Sequence, residues 1–199
     1  NALIEIDGPE VPILDGSAAP FVRGIMQRGL RALNAPVRAF EMLKEVTVTD
    51  GEASATLRPS DTLRIDFEID FADAAIGHQQ KSLVMNNGSF ARELCDSRTF
   101  CRQADVIAMQ ANGLALGGNP GKNAVVFDGD RVLSPGGLRH SDEPVGHYVG
   151  VRAGHSLTNT LLRKVFATPD AVRMVICDAQ QSRRLPGYGL VWDEIPQVA

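Results

Sequence analysis

Apolar and charged residues take strict turns along Leu63-Arg64-Ile65-Asp66-Phe67-Glu68-Ile69-Asp70-Phe71. A period of two puts one set on each face of a strand, so this stretch predicts a half-buried antiparallel strand. Residues 39–48 and 53–58 read as strands beside it, with Asp50-Gly51 and Pro59-Ser60-Asp61 supplying turns. Residues 80–86, 123–127, 131–133 and 172–177 predict further strands, as do residues 2–6, ended by Asp7-Gly8-Pro9.

A period near 3.6 marks the helices. Ser17 is placed to cap one with Pro20 in its first turn and Phe21, Val22, Ile25, Met26 and Leu30 on its apolar face. Ser89 is placed to cap another over 90–96. A third spans 104–111 and closes at Asn112-Gly113. The last, 157–166, turns Leu157, Leu161, Leu162, Val165 and Phe166 inward. Residues 134–154 read as a loop. Asn34-Ala35-Pro36 breaks the first helix and is the candidate boundary between residues 1–35 and a β-rich unit over 36–199. The class is α+β, sheet packed on helix.

The chain has 199 residues, 44% apolar and 22% charged, values of an ordinary globular protein with ample core. A net charge of −4 supplies no bulk attraction for nucleic acid, so none is expected as a partner. Three cysteines, without CxxC spacing, argue against a disulfide framework or a cysteine zinc site and suit a reducing, cytoplasmic setting. No apolar run reaches membrane-spanning length and no signal peptide opens the chain. Because Asn1 stands first and a strand pattern is already under way, the chain is expected to begin inside a larger protein.

Candidate chemistry concentrates between Leu138 and Arg163. His140, His147 and His155 lie there, with Asp142 and Glu143 between the first two. Imidazole exchanges protons and binds metal near neutral pH. The glycine-rich Gly117–Lys122 is one residue short of a phosphate loop, with Asn123 where Ser or Thr belongs, so a turn is the preferred reading. Asp66, Glu68 and Asp70 read as a solvated strand face, Cys95 and Cys101 as small core residues, and His78 and His140 as solvent-facing loop residues. Thr99, the Gly117-Gly118 turn and His155 together support an acyl-transfer or hydrolase-like site.

IEIDGPEVPILDGSAAPFV (4–22), SRTF (97–100), NGLALGG (112–118), NAVV (123–126), RVLSPGGLRHSDE (131–143) and RAGHSLTNTLLR (152–163) resemble UDP-3-O-acyl-N-acetylglucosamine deacetylases, zinc hydrolases of lipid A biosynthesis in Gram-negative bacteria. The resemblance covers nearly the whole chain with one interruption. It implies two similar domains of sheet against helices with the site between layers, residues 1–35 being the end of the first. It implies a UDP-sugar substrate, zinc as cofactor and a monomer. By position His155 matches the catalytic histidine, Thr99 the threonine that hydrogen-bonds the oxyanion, and 101–118 the acyl-chain passage. Phe100, Val106, Gly117 and Gly118 are the implied substrate-binding residues. Arg102, in place of an apolar residue, must carry its charged head to water there.

The implied zinc site departs from the family. The family's first ligand and general base, in a VEH-type motif, have no counterpart here. Asp142 reaches His155 in 13 positions, roughly twenty too few for the helix that carries the ligand aspartate and a buried face. DEPVGH matches the ligand motif DEFVRH, making His147 a ligand; GHYVGVRAGH matches instead the segment after the missing helix, leaving none. Zinc catalysis needs three protein ligands and an open position. The expectation is that this polypeptide alone is not an efficient deacetylase. The rival reading is a non-catalytic module that binds an acyl chain or UDP-sugar.

Overall fold

The alternating stretch forms a strand, β4 (Arg64–Asp70), paired antiparallel with β5 (His78–Val84) from Arg64↔Val84 to Asp70↔His78. The computed structural model describes residues 3–9, 11–29, 35–86, 88–114, 122–148 and 155–177. Ile65, Phe67 and Ile69 face inward and the charged residues outward, as the period of two requires. Residues 39–48 divide into β1 (Val37–Met42) and β2 (Val46–Asp50), because Leu43-Lys44-Glu45 turns the chain. β2 forms a hairpin with β3 (Ala53–Leu57) across Gly51, whose φ of 57° suits glycine.

Among the described residues four small sheets result, an α+β architecture. β1 pairs antiparallel with β9 (Val172–Cys177), and β2–β3 and β4–β5 are hairpin pairs. The fourth sheet joins β6 (Phe100–Arg102) parallel to β7 (Val125–Asp128), with β8 (Arg131–Val132) antiparallel on its other side. β6 was not predicted. Three residues are too short for a periodic signal, and their order comes from pairing with β7.

The helices are α1 (Ala19–Arg28), α2 (Ser89–Glu93), α3 (Gln103–Ala111), α4 (Glu143–Tyr148) and α5 (His155–Ala167). Ser17 does not cap α1 in the usual way. Its hydroxyl bonds the Asp15 carboxylate and accepts from the Ala19 N–H at 3.3 Å, and Ala18 holds the cap position. Ser89 lies inside α2, not at its cap, and donates to the Val84 carbonyl. α4 corrects the reading of 134–154 as loop throughout: Pro144 sits in the first turn, where a missing N–H leaves no bond unmade. Residues 3–6 form no strand, since no ladder partner lies beside them among the described residues.

Among the described residues three cores hold these elements. Leu157, Leu161 and Val165 of α5 pack on Val46 and Val48 of β2. Ile69, Ile76, Val125, Phe127 and Val145 form the second, around β4, β7 and α4. Ala19 of α1 meets Ala91 and Cys95 in the third. Burying one such branched or aromatic side chain stabilises by about 1.5–3 kcal/mol. Leu162 and Phe166, expected inward, are exposed; the sheets cover only one stripe of α5. Among the described residues no helix is long and apolar enough to cross a membrane.

Candidate active site

Glu143 opens α4 and is fully buried. Its carboxylate accepts from the Arg98 backbone N–H at 3.0 Å and Nε at 2.7 Å, from Arg98 Nη2 at 3.1 Å, and from the Arg139 backbone N–H at 2.7 Å. Burial raises its pKa, but these donors outweigh burial and hold it below the ordinary carboxylate value. The Arg98 guanidinium is correspondingly pushed up. Arg139 extends the network, donating to Asp96 Oδ1 at 2.9 Å and to Asp15 Oδ2 at 2.7 Å. Asp142 and Glu143, adjacent in the sequence, therefore do different work. Neither Arg98 nor Arg139 was singled out from sequence, although buried arginine beside buried glutamate demands pairing.

Through this network the Asp15-Gly16-Ser17 segment reaches β6. The Thr99 N–H donates to the Gly16 carbonyl at 2.7 Å, and the Thr99 carbonyl accepts from Val125 N–H at 2.8 Å. Gly16 has a φ of 83°, and a Cβ there would strike the Asn123 carbonyl. Glycine alone allows this approach. Thr99 is thus tethered on both sides of its backbone. Phe100 follows, its ring edge-on to Phe71 at 5.7 Å, Phe127 at 5.6 Å and His147 at 6.2 Å.

His147 stands on α4 with its ring donating to the Ser97 backbone carbonyl. Burial pushes its pKa down, outweighing that bond and the Glu143 charge, so the imidazole is neutral at pH 7. Gly146 brings α4 onto Ser97 so closely that a Cβ would strike the Ser97 hydroxyl. β6 and α4 therefore bring Phe100 and His147 together, with Thr99 directly before β6. Val106 lies half-buried on α3. Gly117 and Gly118 lie outside the described residues, as does the His155 side chain, whose backbone opens α5.

His140 is not the solvent-facing loop residue expected. Its Nδ1 is 2.7 Å from Asp142 Oδ1 and its Nε2 3.4 Å from Ser97 Oγ, while Asp142 Oδ2 accepts from Lys81 Nζ at 2.5 Å. Burial raises the Asp142 pKa, and Lys81 and His140 bring it below the usual value. The order hydroxyl, imidazole, carboxylate is that of a nucleophilic relay. Ser97, however, is 4% exposed and covered by Gly146, so the chain of bonds fastens α4 to β5. His78 is exposed and pairs with Glu68 at 2.8 Å. Cys95 and Cys101 have raised thiol pKa values, chiefly through burial, but only Cys95 is a core residue; Cys101 is half-buried. Arg102 pairs with Asp105 at 2.9 Å, which satisfies its charge.

The donors near His147 do not fit the zinc ion that the resemblance implies. Glu143 is saturated by arginines, Asp142 by Lys81 and His140, and His140 by Asp142 and Ser97. Zinc would have to displace cations from each carboxylate, and His147 supplies one ligand where three are needed. Among the described residues no three His, Cys, Asp or Glu side chains form a metal-holding group.

Residues 1–149 match the family model of LpxC, UDP-3-O-acyl N-acetylglycosamine deacetylase. Among curated proteins, the UDP-3-O-acyl-N-acetylglucosamine deacetylase of Phenylobacterium zucineum is 46% identical over 193 residues, covering 87% of this chain and 66% of that protein. That of Shewanella oneidensis is 37% identical over 212 residues, covering 94% of this chain and 69% of the relative. The chain spans about two thirds of the length of the curated relatives it matches. Because 87% of 199 residues is about 173, about 20 of the 193 matched positions have no counterpart in this chain. The same subtraction from 212, with 94% of 199 being about 187, gives about 25. The match over three quarters of its length and the shared identity place the chain in the UDP-3-O-acyl N-acetylglycosamine deacetylase family.

Proposed function

We propose that this polypeptide carries the family's scaffold for a UDP-3-O-acyl-N-acetylglucosamine-type ligand of lipid A biosynthesis, but does not by itself assemble an efficient zinc deacetylase. One observation carries the reading: among the described residues, Asp142 and Glu143, the carboxylates where α4 begins, already belong to a cation or to His140. In this reading residues 1–35 end one unit and 36–199 form a second. The Thr99 hydroxyl serves to donate to a carbonyl oxygen of the ligand, and Phe100 offers it an apolar contact. His155, at the start of α5, takes the proton-donating place. Val106, Gly117 and Gly118 belong to the acyl-chain passage.

The test is zinc titration of the purified chain beside turnover of UDP-3-O-acyl-N-acetylglucosamine. The expected result is no stoichiometric zinc and no chelator-sensitive turnover. One zinc per chain with turnover abolished by chelation overturns the proposal. The tethering of Thr99 by Gly16 and Val125 favours a second reading, a non-catalytic binder. Stoichiometric binding of the UDP-sugar without turnover, weakened by Phe100→Ala, is its signature.

A further inference from the structure

α5 presents two apolar stripes, of which one is covered. Leu157, Leu161 and Val165 are buried, whereas Leu162 and Phe166 are bare, Phe166 being 59% exposed. Phe166 stands edge-on to Phe40 of β1 at 5.2 Å, and Phe40 is itself 61% exposed. Both line a cleft of about 2200 Å³ that runs between α5, the β1–β9 pair, β3 and β4. Leu63 and Val84, also exposed, stand on its far wall. Exposed apolar side chains gathered along one cleft mark a binding surface.

Volume and charge together select an occupant. A helix with side chains is about 10–12 Å across, so a cleft of this volume has room for one helix of about four turns. The walls carry seven carboxylates against three arginines among the described lining residues; the arginines pair with Asp66 and Glu41, and Glu45 and Glu52 stand exposed. We propose that this cleft binds a basic amphipathic α-helix of about four turns from another polypeptide, its apolar face on Leu162, Phe166 and Phe40 and its lysines or arginines toward the exposed acids. This proposal is independent of whether the Thr99 site turns over a substrate.

The probe is a fluorescein-labelled 15-residue peptide with leucines on one helical face and flanking lysines. It is compared with a counterpart carrying glutamates in place of the lysines, by anisotropy against the full chain. The lysine peptide is expected to bind at least tenfold more tightly. Leu162→Asp with Phe166→Asp should weaken it at least thirtyfold while leaving the far-UV circular dichroism unchanged. Glu45→Lys with Glu52→Lys, both on exposed positions, should narrow or invert the preference without touching the apolar wall. Equal binding of the two peptides, or of neither, overturns the proposal. So does self-association of the chain that Leu162→Asp with Phe166→Asp abolishes while the lysine peptide fails to bind, because the occupant is then a second copy.

Discussion

Removing the Glu143 carboxylate tests the account of how α4 is held. The side chains of Glu143 and Arg98 are 1% and 10% exposed. Glu143→Ala takes the acceptor away from two backbone N–H groups, those of Arg98 and Arg139, and from the Arg98 guanidinium. Each buried donor left without a partner costs about 1–3 kcal/mol. Breaking a buried ion pair from one side costs about 3–5 kcal/mol. The two ranges overlap rather than add, because Arg98 keeps its bond to the Gly137 carbonyl at 2.7 Å. The expected loss is about 4 kcal/mol, a large part of the roughly 5–15 kcal/mol that a domain possesses. With a urea slope of about 2 kcal/mol/M the midpoint falls by about 2 M. Urea titration followed by circular dichroism at pH 7 measures it. Glu143→Gln keeps one carbonyl acceptor but turns an amide N–H₂ toward a donor, so its loss should be about half as large. Replacing Arg98 and Glu143 together by methionine should cost less than Glu143→Ala alone, since no buried charge is orphaned. A loss under about 1 kcal/mol for Glu143→Ala, with an unchanged slope, refutes this reasoning.

Gly146→Ala would drive a methyl group into the Ser97 hydroxyl and push α4, with His147, off β6; a loss of about 2–3 kcal/mol is expected from such overpacking, and no loss in thermal denaturation would sink the claim. Asp15, Asp142 and Glu143 all have depressed carboxyl pKa values, burial being outweighed by Arg139, by Lys81 with His140, and by Arg98. The unfolded chain thus binds their protons first, so their stabilisation is complete at neutral pH and is lost as pH falls below about 4.5. The depressed His147 pKa has the same sign and begins to act as pH falls through 6.5, its ordinary value. Calorimetry from pH 7.5 to 4 should show Tm dropping throughout the acid limb, and a flat or rising Tm contradicts the assignments. Burial, aided by the Asp96 charge, pushes the Cys95 thiol up to about 11. It should resist a disulfide reagent at pH 8 until the chain unfolds, and reaction of Cys95 in the native protein at the rate of a free thiol argues against the packing of α1 on α2.

Elements with a strong local period were legible before any coordinates: β4 from its alternation, the β2–β3 hairpin from Asp50-Gly51, α3 from its Asn112-Gly113 stop and α5 from its apolar spacing. Local chemistry suffices there because side-chain period and turn conformation are properties of a few adjacent residues. Thr99 and Phe100, and His147 under one of two matches, are candidates only through short motifs that resemble the family's. Strands without a partner and elements shorter than a period were not legible. Residues 3–6 alternate yet form no ladder, while β6 and α4 exist because β7, Ser97 and Gln79 hold them. His140 and Glu143 show the same division most sharply. Sequence placed them in a loop rich in titratable groups, but Arg98, Arg139 and Ser97 come from 4 to 45 positions away to meet them. Whether a carboxylate is a base, a ligand or a buried anchor depends on which cations the fold brings to it, and that is decided only by the packed tertiary structure.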